Sequence, residues 1–155
     1  MKGVFNVNGV SVEASFHADE TLLSVLRSHS HTEVKEGCNE GQCGACVVLL
    51  DGKLVNSCQV LAATAQDAEI VTIKGLGNLH EPHPIQRAFV DAGAVQCGFC
   101  TPGMVLAAYA LLQKNADPSE MEIREALDGN LCRCTGYVKI VEAVDLAARR
   151  MRGHV

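Results

Sequence analysis

Cysteine is the residue whose placement decides what this chain can do. Its eight cysteines fall into two unlike sets. Cys38, Cys43 and Cys46 are separated by four and two residues, and eleven more lead to Cys58. Cys97 and Cys100 are separated by two residues, and thirty-one more lead to Cys132 and Cys134, which flank a single arginine. Four thiols in each set, with none left over, is a ligand count for two metal centres. Thiolate is a soft donor that suits iron–sulfur clusters and zinc.

The first spacing is that of a plant-type [2Fe–2S] site. Such a core has two tetrahedral irons, each needing two thiolates, so four sulfurs must converge on a volume a few ångströms across. A loop carrying three ligands in nine residues cannot be regular and has to wrap the cluster. Gly37, Gly41 and Gly44 supply the turns and close backbone approach, and their N–H groups can point at the anionic sulfurs. The second set needs another solution. Cys97 and Cys100 precede a helix opened by Thr101 and Pro102, and Cys132 and Cys134 precede the last helix. A helix start favours thiolate, and two helix starts meeting across a bundle bring the pairs together. Two such centres in series make an electron wire.

Structural zinc is the main competing use of four cysteines, although the glycine-rich spacing of the first set is less zinc-like. Disulfides fit poorly with the absence of an export signal, and a bond between Cys132 and Cys134 would be strained. The histidines are scattered. His29 with His31 and His80 with His83 could be ligand pairs, but both cysteine sets are complete without them.

The elements that must position these thiols follow from periodicity. Residues 3–16 read as a hairpin turning at Asn8-Gly9, with Val4, Val7, Val10, Val12 and Phe16 as its apolar positions. Thr21 to His29 reads as a helix with Leu22, Val25 and Leu26 on one face. Val47 to Leu50 is a buried-type strand that turns at Asp51-Gly52 into Lys53–Val55, and residues 70–73 form a last strand. A breaker-rich link with Gly75, Gly77, Pro82 and Pro84 follows. Beyond it the pattern is helical: Ile85, Ala88, Phe89 and Ala92 share a face. The helix from Thr101, capped there, runs to about Gln113 and is apolar nearly all round. Ser119 and Glu122 form a capping box, and a last helix over 137–151 carries Tyr137, Ile140, Val141, Val144, Ala148 and Met151 on one stripe. The expected fold is α+β, with an N-terminal domain over 1–76 and a four-helix domain over 77–155.

Composition narrows the functional class. The net charge of −5, with no basic block, argues against nucleic acid. The longest apolar run, Met104 to Leu112, is far short of the ~20 residues a membrane span needs. The N-terminus has no apolar signal core, so a cytoplasmic location is expected, where thiols stay reduced. Halves of this size, with no Trp, two Tyr and four Phe, bury small cores. Metal ligation would supply part of the missing folding free energy.

Three strings, GCNEGQCGAC (37–46), QCGFCTPG (96–103) and GNLCRCTGY (129–137), closely resemble the iron–sulfur subunit of molybdenum hydroxylases, the xanthine dehydrogenase/aldehyde oxidoreductase/carbon monoxide dehydrogenase family. The resemblance covers nearly the whole chain. It implies a β-grasp ferredoxin-like domain followed by a four-helix bundle, each with one [2Fe–2S] cluster. Cys97, Cys100, Cys132 and Cys134 would bind the cluster nearest Mo-molybdopterin on a large partner subunit. Cys38, Cys43, Cys46 and Cys58 would bind the one nearer FAD on a medium partner subunit. Gln96 matches a position that hydrogen-bonds the pterin, and Cys134 a ligand lying close to it. The implied function is electron relay from molybdopterin to FAD in a heterotrimer or a dimer of heterotrimers. A purine or other N-heterocycle is the expected substrate, bound outside this chain. The competing functions are a free-standing ferredoxin, which would need one cluster only, and a zinc-binding interaction module.

Overall fold

The computed structural model describes residues 1–153. The N-terminal half is built on a five-stranded sheet of order β2-β1-β5-β3-β4. Strands β1 (Lys2–Val7) and β2 (Val10–Ser15) form the hairpin. Asn8 and Gly9 take φ of 54° and 78°, the left-handed pair that a tight hairpin turn requires. The inward face differs from the one expected. Phe5 and Val7 are buried, whereas Val4 is 42% and Val10 64% exposed. Alternation is counted from Phe5, which pairs with Val12 across the hairpin.

Helix α1 (Leu22–Ser28) starts where Thr21 accepts a hydrogen bond from the Ser24 amide. Its Leu22, Leu23, Val25 and Leu26 pack on Phe5, Phe16, Val48 and Ile70 to form the core of this half. Strands β3 (Val47–Leu50) and β4 (Lys53–Asn56) turn at Asp51-Gly52. Strand β5 (Glu69–Val71) lies between β1 and β3, parallel to the former. This strand ends sooner than expected. Thr72 caps the following short helix α2 (Ile73–Leu76) through its hydroxyl, so Ile73 and Gly75 are helical rather than strand and link.

Four helices make the second half: α3 (Pro84–Asp91), α4 (Thr101–Lys114), α5 (Glu120–Leu127) and α6 (Val138–Met151). His83 and Gln86 form a reciprocal cap at the start of α3, and Ser119 and Glu122 do so at α5. The cap of α4 is Cys100, not Thr101, and no side chain closes it. Tyr137 stands just outside α6, and Met151 is exposed. Ile85, Phe89, Met104, Ile123, Ile140 and Val144 are central to this core.

The halves share a third cluster. Val47 and Leu49, on the sheet face away from α1, pack against Leu106 of α4. Both faces of β3 are therefore covered, which explains its unbroken apolar run. Among the described residues, no helix is long and apolar enough to cross a membrane.

Candidate metal centres

The loop from Gly37 to Cys46 joins α1 to β3. Asn39, Gly41 and Gly44 adopt φ of 57°, 75° and 66°, so the chain reverses repeatedly within a few residues. Gly37 has no room for a side chain, because a Cβ there would lie 2.8 Å from the Cys43 sulfur. Cys58 arrives from the far side, in the tight helical turn Ser57–Gln59. That turn is tied back by the Ser57 hydroxyl, which donates to the Cys46 carbonyl at 2.6 Å. Two side chains not singled out from the sequence pin the loop further. Asn56 Nδ2 donates to the Gly41 carbonyl at 2.9 Å, and Gln59 Nε2 to the Asn39 carbonyl at 3.2 Å. Their position flanking Cys58 is the signal that could have found them.

The second set sits at the two helix starts. Cys97 lies in the bend before α4 and Cys100 caps that helix, while Cys132 and Cys134 lie between α5 and α6. The Tyr137 hydroxyl accepts the Cys132 amide at 2.8 Å. Thr135 gives its hydroxyl (3.1 Å) and its amide (3.4 Å) to the Cys132 sulfur. Gln96 is exposed beside Cys97. The histidines are elsewhere: His83 caps α3 through Nδ1, and His31 pairs with Glu33 at 3.2 Å.

All eight cysteines are free thiols, and within each set they come into contact two by two. Cys97 and Cys134 sulfurs are 3.6 Å apart. Cys38 lies against Cys43, Cys46 against Cys58, and Cys100 against Cys132. Among the described residues, no three His, Cys, Asp or Glu side chains converge closely enough to hold a single metal ion. Two pairs per set is the arrangement a two-iron core needs, with two thiolates on each iron. The donor set therefore fits a [2Fe–2S] group in each half.

Electrostatics prepare one thiol in each set. The amides of Glu40, Gln42 and Cys43 aim at Cys38 and bring its pKa down to about 7. Burial works against ionising Cys132, but Thr135 and the Cys134 amide outweigh it, again giving about 7. Burial pushes Cys46 up to about 11 and Cys100 up to about 12, and the neighbouring Cys97 thiol raises Cys134. Cys38 and Cys132 can thus offer thiolate at neutral pH, whereas Cys46 and Cys100 hold their protons more tightly and would give them up to a metal cation.

The sets differ in access. Cys46 and Cys58 are buried, while Cys97 and Cys134 are exposed at the rim of a concave surface of about 450 Å³ that also includes Phe99, Leu131 and Tyr137. Phe99 is 47% and Leu131 58% exposed, an apolar collar around thiols. The two cysteine loops also touch: the Leu131 amide donates to the Cys43 carbonyl at 2.9 Å.

Residues 5–71 match the family of 2Fe-2S iron-sulfur cluster binding domains, and residues 72–145 match the family of [2Fe-2S] binding domains. The nicotinate dehydrogenase small FeS subunit of Eubacterium barkeri is 49% identical over 94% of this chain and 93% of its own length. This chain belongs to the iron–sulfur subunits of the molybdenum hydroxylases. Among solved structures, the aldehyde oxidoreductase of Desulfovibrio desulfuricans superposes with a TM-score of 0.94 at 43% identity, covering 99% of this chain but only 17% of that one. The quinoline 2-oxidoreductase of Pseudomonas putida 86 superposes with a TM-score of 0.91 at 38% identity, covering 100% of this chain and 98% of the matched one. As a small FeS subunit, the chain serves as a part of a multi-subunit oxidoreductase.

Proposed function

We propose that this chain holds two [2Fe–2S] clusters and carries electrons from Mo-molybdopterin on a large partner subunit to FAD on a medium one. Cys38, Cys43, Cys46 and Cys58 hold the first cluster; Cys97, Cys100, Cys132 and Cys134 hold the second. The pairing of thiols, two by two in each set, carries this reading. When bound, each cluster supplies one-electron storage, and the chain's own residues shape and insulate it. We take residues 1–76 as a β-grasp domain and 77–155, of which 154 and 155 lie outside the described residues, as a four-helix bundle, with α2 packing Ile73 and Leu76 on the helical core.

Access sets the direction. The exposed Cys97/Cys134 edge, with Gln96 beside it and its apolar collar, is the face we assign to the molybdopterin subunit. Gln96 offers both a donor and an acceptor there. The substrate class we propose is an N-heterocycle, purines included, because relatives matched over 93% and 98% of their length are named for nicotinate and quinoline. We take the complex to be cytoplasmic, a reducing compartment in which cysteines stay available as ligands.

The test is anaerobic purification with metal and sulfide analysis and EPR. The expected result is about four irons and four acid-labile sulfides per chain, with two distinct reduced [2Fe–2S] signals. Co-purification with molybdopterin- and FAD-bearing chains is expected too. A colourless zinc-loaded protein, or one cluster on a chain that elutes alone, would overturn the reading.

A further inference from the structure

We propose that Asn130 is a positioning residue which joins the two cysteine loops through one buried amide and so fixes the separation and orientation of the two metal centres. This rests on the two-cluster reading and adds the residue that sets how strongly the centres couple.

Asn130 is 3% exposed. Its Nδ2 donates to the carbonyl of Gly44 at 3.0 Å, across 86 positions of sequence. Gly44 lies between Cys43 and Cys46, and Asn130 lies two residues before Cys132. The next residue repeats the reach: the Leu131 amide donates to the Cys43 carbonyl. Consecutive residues of one ligand loop therefore hold consecutive carbonyls of the other. Asn130 is itself anchored, because its own amide donates to the Leu127 carbonyl at the end of α5, at 2.9 Å.

Glycines make the seam possible. Gly44 is left-handed (φ +66°), and a Cβ there would stand 2.6 Å from Asn130 Nδ2 and collide with the Gly129 carbonyl. Gly103, in the first turn of α4, would place a Cβ 2.9 Å from the same nitrogen and against the Gly44 carbonyl. Three segments thus close on one amide: the first ligand loop, the second ligand loop, and the helix that Cys100 caps. A shift at this point moves ligands of both sets together. Aspartate has the same shape but no hydrogen to give, so its carboxylate would face a carbonyl oxygen.

The Cys43 side chain, its carbonyl, one hydrogen bond, Leu131 and the Cys132 side chain form a continuous connection between the sets. Asn130 holds that connection closed, one residue away. Interaction between two paramagnetic centres falls steeply with separation, so loosening the seam weakens it without removing either centre.

The experiment uses the cluster-loaded complex with Asn130→Asp, Gly103→Ala and, as a control, Arg149→Ala, which breaks an exposed ion pair with Asp145 on α6, away from both ligand loops. Three quantities are read: iron and sulfide content, the EPR splitting between the two reduced centres, and hydrogen exchange of the peptide holding the Leu131 amide. For Asn130→Asp and Gly103→Ala, iron and sulfide stay at the parent level, the splitting is diminished or smeared, and Leu131 exchange rises on the order of tenfold, as loss of a buried hydrogen bond implies. Arg149→Ala leaves the splitting and Leu131 exchange unchanged. Unaltered splitting and exchange in Asn130→Asp overturn the proposal. Should that variant lose iron, Gly103→Ala decides, and unaltered splitting there overturns it equally. Absence of two signals in the parent defeats the two-cluster reading instead, while parent-like Leu131 exchange in the variants still refutes the role of Asn130.

Discussion

Tyr137→Phe removes one oxygen, and the structure says what that oxygen does. Tyr137 sits at φ 69°, ψ −23°, a left-handed conformation that costs a bulky residue about 1–2 kcal/mol. The conformation reverses the chain between the Cys132–Cys134 loop and α6. It is held by three contacts: the hydroxyl accepting the Cys132 amide, the Tyr137 amide donating to Thr135 Oγ1 at 3.2 Å, and the ring against the helical core. Phenylalanine keeps the ring and the strain but leaves the Cys132 amide without its partner. An unsatisfied, partly buried donor costs about 1–3 kcal/mol. For a chain of this length, each kcal/mol lowers Tm by about 2–4 °C, so a drop of roughly 2–12 °C is expected in the metal-free chain. In the loaded chain, the EPR signal of the second centre should shift while that of the first stays put, because the lost contact is at a second-set ligand. Thermal unfolding followed by circular dichroism, with EPR on the loaded protein, checks both. A midpoint equal to the parent's together with an unmoved second signal would refute the argument that this hydroxyl supports the ligand loop.

Glu33 is nearly buried, paired with Lys74 at 3.0 Å and receiving the Thr72 hydroxyl at 2.9 Å. Burial alone would raise its pKa, but these partners and His31 bring it below the ordinary carboxylate value. Its contribution to stability is therefore complete above the unfolded value near 4.5 and is lost as pH falls through the lower folded value. The Tm gap between parent and Glu33→Gln should be constant from neutral pH down to about pH 5 and close on further acidification; a gap that persists in acid contradicts this. Gln96→Ala should slow turnover of the assembled complex while leaving both EPR signals intact, and unchanged steady-state rates would remove Gln96 from the site. Leu106→Ala, at the junction of sheet and helices, should cost about 2–5 kcal/mol and raise protease sensitivity of both halves, which limited proteolysis reads directly.

The sequence spoke most clearly where local chemistry decides. Asn8-Gly9 and Asp51-Gly52 turn as their dipeptides require, Ser119 and Glu122 cap α5, and the pattern of apolar residues located α1, α4 and α6 to within a residue or two. It was weaker where a neighbour from far along the chain intervenes. Ile73 has β-branched strand chemistry, yet the Thr72 hydroxyl starts a helix there and the helical core takes the side chain. Val4 and Val10 are as apolar as Val7, but only the inward positions of the pleat are covered. The cap of α4 fell on Cys100, one residue before Thr101, with no side-chain hydrogen bond to mark it.

For the candidate centres, type and spacing of the cysteines suggest two sets of four, because loop length limits which sulfurs can meet. The pairing within each set was not legible, nor were Asn56, Gln59, Asn130 and Tyr137. Those follow from contacts between residues tens of positions apart, as between Asn130 and Gly44. Sequence order constrains neighbours along the backbone strongly and distant segments hardly at all. The docking of α4 on the sheet, through Leu106 with Val47 and Leu49, and the hydrogen bonds from Asn130 and Leu131 to Gly44 and Cys43 bring the two ligand loops edge to edge.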